Sequence, residues 1–346
     1  MAVKAGIIGY GLAGRVFHAP LLPAAGITFH GVASSKPEAV KADHPEALVY
    51  ATPEEMFADD AIDLVIVASP TPTHTPLAIA ALEAGKHVIV DKPFAATVAD
   101  ADAMIAAAEN AGRILTCFQN RRWDGDFLTL RKLRDEGALG HIQSFQSHFE
   151  FFKGDGSGDR WQEKAAPGVG VQFDLGAHQV DQALVLFGRP KWVEGEAIVQ
   201  RAGGEVADRF CLTMGYDGAL RVQIYCSYVS PDFRTKYVVQ GDQGAYRKYH
   251  MDIQEPQLRE GMTPLDPGFG VEPKERFGTL SRVRNGKVIN EVYPTEPGTQ
   301  HEIYLRLRKA IEDGGDPPVL PSEARMTIEV IEAGVKAGET GQRMML

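Results

Sequence analysis

The sequence predicts two domains of different class: a doubly wound parallel α/β domain over residues 1–122, then an α+β domain with a large, mainly antiparallel open sheet over residues 123–346. Three observations carry this. Short Ile/Val-rich runs alternate with helix-patterned segments as far as Phe118, the grammar of a parallel sheet with helices on both faces. From Trp123 strands follow one another through short turns, which suits antiparallel pairing. A chain of 346 residues, 44% of them hydrophobic, is long enough for two full cores.

The first run, from Val3 to Ile8, ends in Gly9-Tyr10-Gly11-Leu12-Ala13-Gly14. This is G-x-G-x-x-G between a strand and a helix pattern, the phosphate-cradling opening of a Rossmann-type dinucleotide fold. Gly9 allows the tight turn, Gly11 lets a pyrophosphate approach, and Gly14 lets the helix pack closely. Helix-spaced Val16, Phe17, Leu21 and Leu22 follow, up to breaks at Pro23 and Gly26. The second strand, Ile27–Ala33, ends in Ser34-Ser35-Lys36. An acidic residue at this place binds a ribose 2′-hydroxyl and marks NAD. Two hydroxyls and an ammonium suit a 2′-phosphate instead, so NADP is favoured, with nearby Glu38 leaving NAD open.

Thr52-Pro53-Glu54-Glu55 reads as a capping box with proline at the first helical position. Ile62–Ala68 reads as a buried strand ending in Ser69-Pro70-Thr71-Pro72-Thr73-His74, with a helix from about Pro76 to Ala84 stopped by Gly85. The strand His87–Val90 runs into Asp91-Lys92-Pro93, a helix spans Val98–Ala111 before Gly112, and the strand Ile114–Phe118 delivers Gln119-Asn120-Arg121-Arg122-Trp123. In such sheets ligands bind beyond the carboxyl ends of strands. The polar clusters that begin at Gly9, Ser34, Ser69, Asp91 and Asn120 all occupy those ends. The candidate cofactor set is therefore Gly9, Tyr10, Gly11, Leu12, Ala13, Gly14, Ser34, Ser35, Lys36, Ser69, Pro70, Thr71, His74, Asp91, Lys92, Pro93, Asn120 and Arg122.

In the second domain a helix to Glu136 leads into a partly alternating strand, Ile142–Phe151. The glycine- and charge-rich segment from Lys153 to Gly170 reads as an active-site loop because it carries Arg160-Trp161. A helix from Gln172 to Phe187 follows. Asp217-Gly218 and Asn285-Gly286 mark hairpins, with a looser connection at Gly241–Gly244. Two helices, about Gln300–Glu312 and Ser322–Lys336, close the chain. An uncovered sheet face is expected to be hidden by self-association if it is apolar, as Phe145, Phe149, Ile224, Tyr228 and Val238 permit.

Spacings of four and three place Asp174, His178 and Asp181 on one face of the helix Gln172–Phe187. A histidine flanked by carboxylates suits a general base near neutral pH. Asp181 has a second reading, as a structural partner. Lys92 follows a buried strand and precedes proline, which restricts its backbone and holds its ammonium at the sheet edge where nicotinamide and substrate belong. Arg122, Arg160 and Trp161 are candidate substrate contacts, Trp161 equally a packing anchor.

The net charge of −10 argues against nucleic acid or an anionic membrane as partner. No apolar run has the length of a membrane span, and the N-terminus reads as a strand instead of a signal segment. Cys117, Cys211 and Cys226 lack metal-type spacing and suit reduced thiols in the cytoplasm, with neither disulfide nor zinc expected.

The glycine motif, Asp91-Lys92-Pro93 and the Asp174-to-His178 helix together resemble the glucose–fructose oxidoreductase / inositol dehydrogenase family (Gfo/Idh/MocA) over nearly the whole chain. Phe17-His18-Ala19-Pro20-Leu21-Leu22, Asn120-Arg121-Arg122-Trp123-Asp124 and Arg160-Trp161-Gln162-Glu163-Lys164 resemble its NADP-dependent scyllo-inositol dehydrogenase branch. Family members carry Glu-Lys-Pro where this chain has Asp91, a shorter carboxylate that alters the support of Lys92. The resemblance implies that Lys92 touches nicotinamide and the substrate hydroxyl, that Asp174 and His178 bind and deprotonate that hydroxyl, and that Ser69, Pro70 and Asn120 line the cofactor. It also implies a homodimer or homotetramer through the C-terminal sheet. The expected activity is NAD(P)-dependent hydride transfer to or from a secondary alcohol of a cyclic polyol or sugar. The alternatives are an NADPH-dependent keto-sugar (anhydrofructose-type) reductase, a non-catalytic dinucleotide or sugar sensor, and cofactor-assisted glycoside hydrolysis.

Overall fold

The computed structural model describes residues 2–154 and 161–346. They divide into two compact units, neither continuous in sequence. The first comprises Met1–Asn120, Gln254–Phe269 and Thr299–Arg325; the second comprises Arg121–Ile253, Gly270–Gly298 and Met326–Leu346.

Six strands build the first unit: β1 (Lys4–Ile8), β2 (Thr28–Ala33), β3 (Leu48–Tyr50), β4 (Leu64–Val67), β5 (His87–Val90) and β6 (Leu115–Cys117). Their order is β3-β2-β1-β4-β5-β6, and every neighbouring pair is parallel. All four residues of β4 are fully buried, as expected of a central strand covered on both faces. The register aligns the strand ends: Ile8 pairs with Ala33 and Val67, Val67 with Val90, and Val90 with Cys117. Gly9, Ser34, Ser69 and Asp91 therefore emerge along one edge, and β1 and β4 flank the point where the strand order reverses.

The segment after the glycine turn is not the regular helix its spacing predicts. Ala13–His18 is π-helical, and two 3₁₀ turns follow at Ala19–Leu21 and Pro23–Ala25. Pro20 and Pro23 supply no backbone N–H, so an i→i−4 ladder cannot run through them. The Ala19 N–H instead reaches back to the Gly14 carbonyl. Elsewhere the caps match the pattern. Thr52 Oγ1 accepts from the Glu55 N–H at 3.3 Å, and Thr97 Oγ1 accepts from the Asp100 N–H at 3.1 Å. The helix Val98–Ala111 ends at Gly112 in the left-handed conformation.

Residues 254–269 and 299–325, which a division at residue 122 leaves with the second domain, pack in the first unit. The reason is the apolar stripe of the helix Glu302–Asp313. Ile303, Tyr304 and Leu307 are fully buried there, and Val319 O accepts a 2.7 Å bond from Thr116 Oγ1 of β6.

The second unit holds nine strands: β7 (Ile142–Glu150), β8 (Trp192–Ile198), β9 (Arg209–Gly215), β10 (Arg221–Ser227), β11 (Thr235–Gly241), β12 (Gly244–Tyr249), β13 (Gly278–Arg284), β14 (Lys287–Tyr293) and β15 (Met344–Met345). Their order is β14-β13-β12-β11-β7-β10-β9-β8-β15. The β7–β10 pair is parallel, and the other neighbours run antiparallel. Asn285 and Gly286 both take positive φ in the β13–β14 turn, the geometry that the Asn-Gly pair favours.

Alternation along β7 buries Phe145 and Phe149 and leaves Gln146 and His148 half-buried. Here the structure corrects the expectation of an apolar uncovered face. Phe145, Phe149, Ile224 and Tyr228 belong to one core with Val180, Ala183 and Leu186 of the helix Gly176–Phe187, so a helix of the same unit already covers them. Val238, the fifth residue of that expectation, is half-buried on the opposite face, where it pairs with Gln146 beside His148, Gln223 and a Tyr225 ring stacked on His148 at 4.7 Å. Among the described residues no helix is long and apolar enough to cross a membrane.

Candidate active site

The first unit supplies a cofactor cradle. Gly9 has φ +91°, and its N–H bonds Ala33 O at 3.0 Å. A Cβ on Gly14 would lie 2.1 Å from the Gly9 carbonyl, so only glycine lets the turn close on the helical segment. A Cβ on Gly11 would meet nothing within 4 Å, which leaves open space over the loop. Leu12 beside it is 51% exposed. Tyr10 is buried, and its hydroxyl donates to Asp43 at 3.0 Å. Arg15 forks onto the same carboxylate at 2.6 and 2.9 Å, which ties the loop to the helix Pro37–Asp43. At the end of β2, Ser35 and Lys36 are exposed and Ser34 Oγ accepts from the Lys36 N–H at 3.0 Å. An open glycine cradle with hydroxyls and an ammonium directly after β2, and exposed Glu38 in the first turn of the next helix, fits a nicotinamide dinucleotide.

At the end of β4, Ser69 Oγ and Thr73 Oγ1 are 2.6 Å apart, Pro70 is exposed and Thr71 is buried. His74 is buried, and its two ring nitrogens face the Ser69 and Pro93 carbonyls at 2.9 Å each. Burial pushes its pKa below the ordinary imidazole value, against the charge of Asp91 and the two carbonyls. His74 thus joins the β4 loop to the β5 loop. Asp91 Oδ1 accepts from the Lys92 N–H at 2.7 Å, and Lys92 itself is half-buried beside the buried Pro93. Burial pushes the Asp91 carboxyl up; the facing His18 imidazole, the Lys92 ammonium and His74 outweigh it and hold the pKa below the ordinary carboxylate value. Asn120 is half-buried just beyond β6.

The second unit holds the acid–base candidates. The segment predicted as one helix breaks at Leu175, giving Val171–Asp174 and Gly176–Phe187. Asp174, His178 and Asp181 therefore do not line one continuous helical face. Gly176, a weak helix former, opens the second piece. Asp174 closes the first piece half-buried, and its carboxylate accepts a short hydrogen bond from the Tyr228 hydroxyl. His178 is 5% exposed in the first turn of the second piece, its ring 6.2 Å from Phe149. Asp181 turns to Arg122, which donates to it from Nε at 2.8 Å and Nη2 at 2.7 Å. Both members of this pair are buried, as the structural reading of Asp181 expects.

Arg160 lies outside the described residues. Trp161 is 40% exposed in a 3₁₀ turn, Trp161–Glu163. Glu163 fixes that turn by accepting from Arg201 Nη2 at 2.7 Å, and Arg201 also bonds Asp208 at 3.1 Å. Sequence reasoning missed Arg201 altogether, and it read Tyr228 as part of an apolar sheet face instead of as a partner of Asp174. Tyr228 lies under Lys153 Nζ, 3.5 Å from the ring centroid, with the Arg201 guanidinium 5.3 Å away. Burial, then the charge of Asp174, pushes its phenol far above the ordinary tyrosine range, so it stays a donor.

The two domains are recognisable independently of this geometry. Residues 3–119 match the family model described as an oxidoreductase family with an NAD-binding Rossmann fold, and residues 127–247 match the GFO/IDH/MocA C-terminal domain. The chain is 39% identical to the uncharacterized oxidoreductase YdgJ of Escherichia coli, covering 97% of this chain and 96% of that protein. It is 36% identical to scyllo-inositol 2-dehydrogenase (NADP(+)) IolW of Bacillus subtilis, covering 99% and 96%. The solved structure of the oxidoreductase yvaA from Bacillus subtilis superposes with a TM-score of 0.96 at 36% identity, covering 100% of this chain and 98% of that one. A dinucleotide cradle on a 3-2-1-4-5-6 sheet, a nine-stranded second sheet and two matched domain models converge on one conclusion: the chain belongs to the Gfo/Idh/MocA family, as an NAD(P)-dependent dehydrogenase acting on CH–OH groups.

Proposed function

We propose that this enzyme oxidises a ring hydroxyl of a cyclic polyol of the scyllo-inositol type, with NADP preferred over NAD. The observation that carries the reading is the placement of Lys92 at the carboxyl end of β5, on the sheet edge that also bears the glycine cradle and Ser34-Ser35-Lys36. The name of IolW supports the substrate class and the NADP preference. The bound dinucleotide supplies the hydride acceptor. The chain supplies orientation and proton transfer. The Lys92 ammonium polarises the substrate oxygen and stabilises alkoxide character as the C–H bond breaks. The His178 imidazole takes the hydroxyl proton. Asp174, held by the Tyr228 hydroxyl, orients that hydroxyl. In reduction the same groups return the proton. Trp161, Arg160 and Arg122 are proposed to shape the substrate site, Arg122 through its pair with Asp181.

Self-association through the second sheet is part of this proposal. Val283, Val288 and Val292 on the β13–β14 hairpin are 62%, 68% and 72% exposed, and a partner subunit would cover them.

The test is absorbance of the reduced nicotinamide with a panel of inositols and aldoses, NADP and NAD in parallel, repeated with Lys92→Ala and His178→Ala. Turnover of an inositol with NADP, lowered about 100-fold or more in both variants, supports the reading. Wild-type turnover in either variant removes its assigned role. Cofactor binding with no turnover in either direction, keto sugars with NADPH included, makes the protein a sensor.

A further inference from the structure

The first unit buries one imidazole that the reaction scheme does not use. His18 ends the π-helical segment that starts in the glycine motif, and it is fully buried. Its ring lies 4.0 Å from the Phe118 ring. Nδ1 is 2.5 Å from the Tyr304 hydroxyl of the helix Glu302–Asp313. Nε2 faces Asp91 Oδ2 at 3.7 Å, beyond hydrogen-bond length, and has no hydrogen-bond partner among the described residues.

Elementary electrostatics sets the tautomer. Were Nδ1 the protonated nitrogen, the Nε2 lone pair would point at a carboxylate. With the Tyr304 hydroxyl donating to Nδ1, the proton sits on Nε2 and faces Asp91 favourably. Burial holds Tyr304 far above the ordinary phenol range, so its donor proton stays in place. The other Asp91 oxygen accepts from the Lys92 N–H at 2.7 Å. A line therefore runs from the returning helix through Tyr304, His18 and Asp91 to the backbone of Lys92. The 3.7 Å separation makes the His18–Asp91 approach a charge–dipole contact.

We propose that His18 is a positioning residue for Lys92: its Nε2–H, oriented by Tyr304, sets the Asp91 carboxylate, which fixes the backbone at Lys92 and so the aim of its ammonium. This rests on the reading of Lys92 as the group that polarises the substrate oxygen. Because the π-helical segment grows out of the glycine loop, the same side chain also ties the position of Lys92 to that of the cradle.

The experiment uses the full-length enzyme with saturating cofactor and polyol, and compares His18→Leu, His18→Gln, Asp91→Asn and the double variant His18→Leu/Asp91→Asn. The glutamine amide nitrogen reaches about as far as imidazole Nε2, so it keeps a donor toward Asp91; leucine keeps bulk alone. The proposal expects His18→Leu to lower kcat about ten- to a hundred-fold, as a misplaced catalytic group does, with the dissociation constant of NADP, read by fluorescence titration, changed less than about three-fold. His18→Gln recovers most of that loss. In the Asp91→Asn background the leucine change costs little further kcat, because the two residues act in series. Equal kcat losses in the leucine and glutamine variants, or fully multiplicative losses in the double variant, overturn the proposal. If His18→Leu fails to fold, kcat of His18→Gln against His18→Gln/Asp91→Asn tests the same coupling. Lys92→Ala, run alongside, separates the two levels. Turnover lost with Lys92→Ala but kept with His18→Leu defeats the positioning role alone, whereas turnover kept with Lys92→Ala defeats the reading beneath it.

Discussion

Replacing Tyr228 with phenylalanine removes one atom from the candidate site and tests whether Asp174 acts there. The hydroxyl donates to a carboxylate, a bond to a charged group that contributes about 1.5–3 kcal/mol. Tyr228 is 5% exposed, so water cannot simply take the place of the lost donor, while half-buried Asp174 recovers part of the loss from its open side. The lower half of the range applies, and at about 1.4 kcal/mol per decade it corresponds to roughly a ten- to forty-fold fall in kcat/KM. The ring remains, and with it the contacts to Lys153 at 3.5 Å and Arg201 at 5.3 Å, so packing is largely preserved. Tyr228→Leu removes ring and hydroxyl together and should cost stability as well. The assay is steady-state oxidation of the best polyol at saturating cofactor, with thermal melting and a cofactor titration on each variant. A Tyr228→Phe enzyme with kcat/KM within two-fold of wild type, or with a loss matched by weaker cofactor binding, refutes the assignment of Asp174 as the hydroxyl-orienting group.

Lys36→Ala should weaken NADP about ten-fold and leave NAD nearly unchanged, since one charge-assisted contact to a 2′-phosphate is lost; equal weakening in parallel titrations removes that contact. Asp181→Ala removes the carboxylate to which two nitrogens of the buried Arg122 guanidinium donate and should cost about 3–5 kcal/mol of stability in urea unfolding, with Asp181→Ala/Arg122→Leu partly restored. Asp59 illustrates pH dependence: bonds from the Tyr50 hydroxyl, then from the Ala61 N–H, pull its pKa from 3.8 down to about 2 against burial, with His30 adding to the effect. A folded pKa below the unfolded one makes the stabilisation fully present above about pH 4 and lost as pH falls toward 2. After solvent screening it amounts to about 1 kcal/mol, so Tyr50→Phe should lower urea stability by that order at pH 7, with the difference closing near pH 2.

The first sheet was legible because each of its signals is local. Ile7-Ile8-Gly9 and Val65-Ile66-Val67 announce buried parallel strands by composition, and glycines or prolines mark where each strand or helix stops. The π-helical turn at Ala13–His18 was not legible, since the side-chain spacing of Val16, Phe17 and Leu21 suits either helix. Likewise the helix Glu302–Asp313 is clear in the sequence, but its return to the first unit depends on which surface buries Tyr304, and that is a long-range choice.

At the site the same division holds, between what a residue can do and what it is given to do. Lys92, His178 and Asp174 stood out because their chemistry is scarce and their context unusual. Tyr228 and His18 did not, because an aromatic or imidazole side chain in an apolar run looks like core, and both are indeed buried. Their significance lies in one polar atom each, aimed at a carboxylate: the Tyr228 hydroxyl at Asp174 and His18 Nε2 toward Asp91. A buried donor facing a carboxylate is costly to strand and so constrains both partners, which makes such residues candidates for holding a site together. Asp91 is where the two kinds of information meet. The sequence marks it as a shorter acid before Lys-Pro, and the structure places its Oδ2 3.7 Å from His18 Nε2 while its Oδ1 accepts from the Lys92 N–H at 2.7 Å, so the proposed line to Lys92 runs through this one carboxylate.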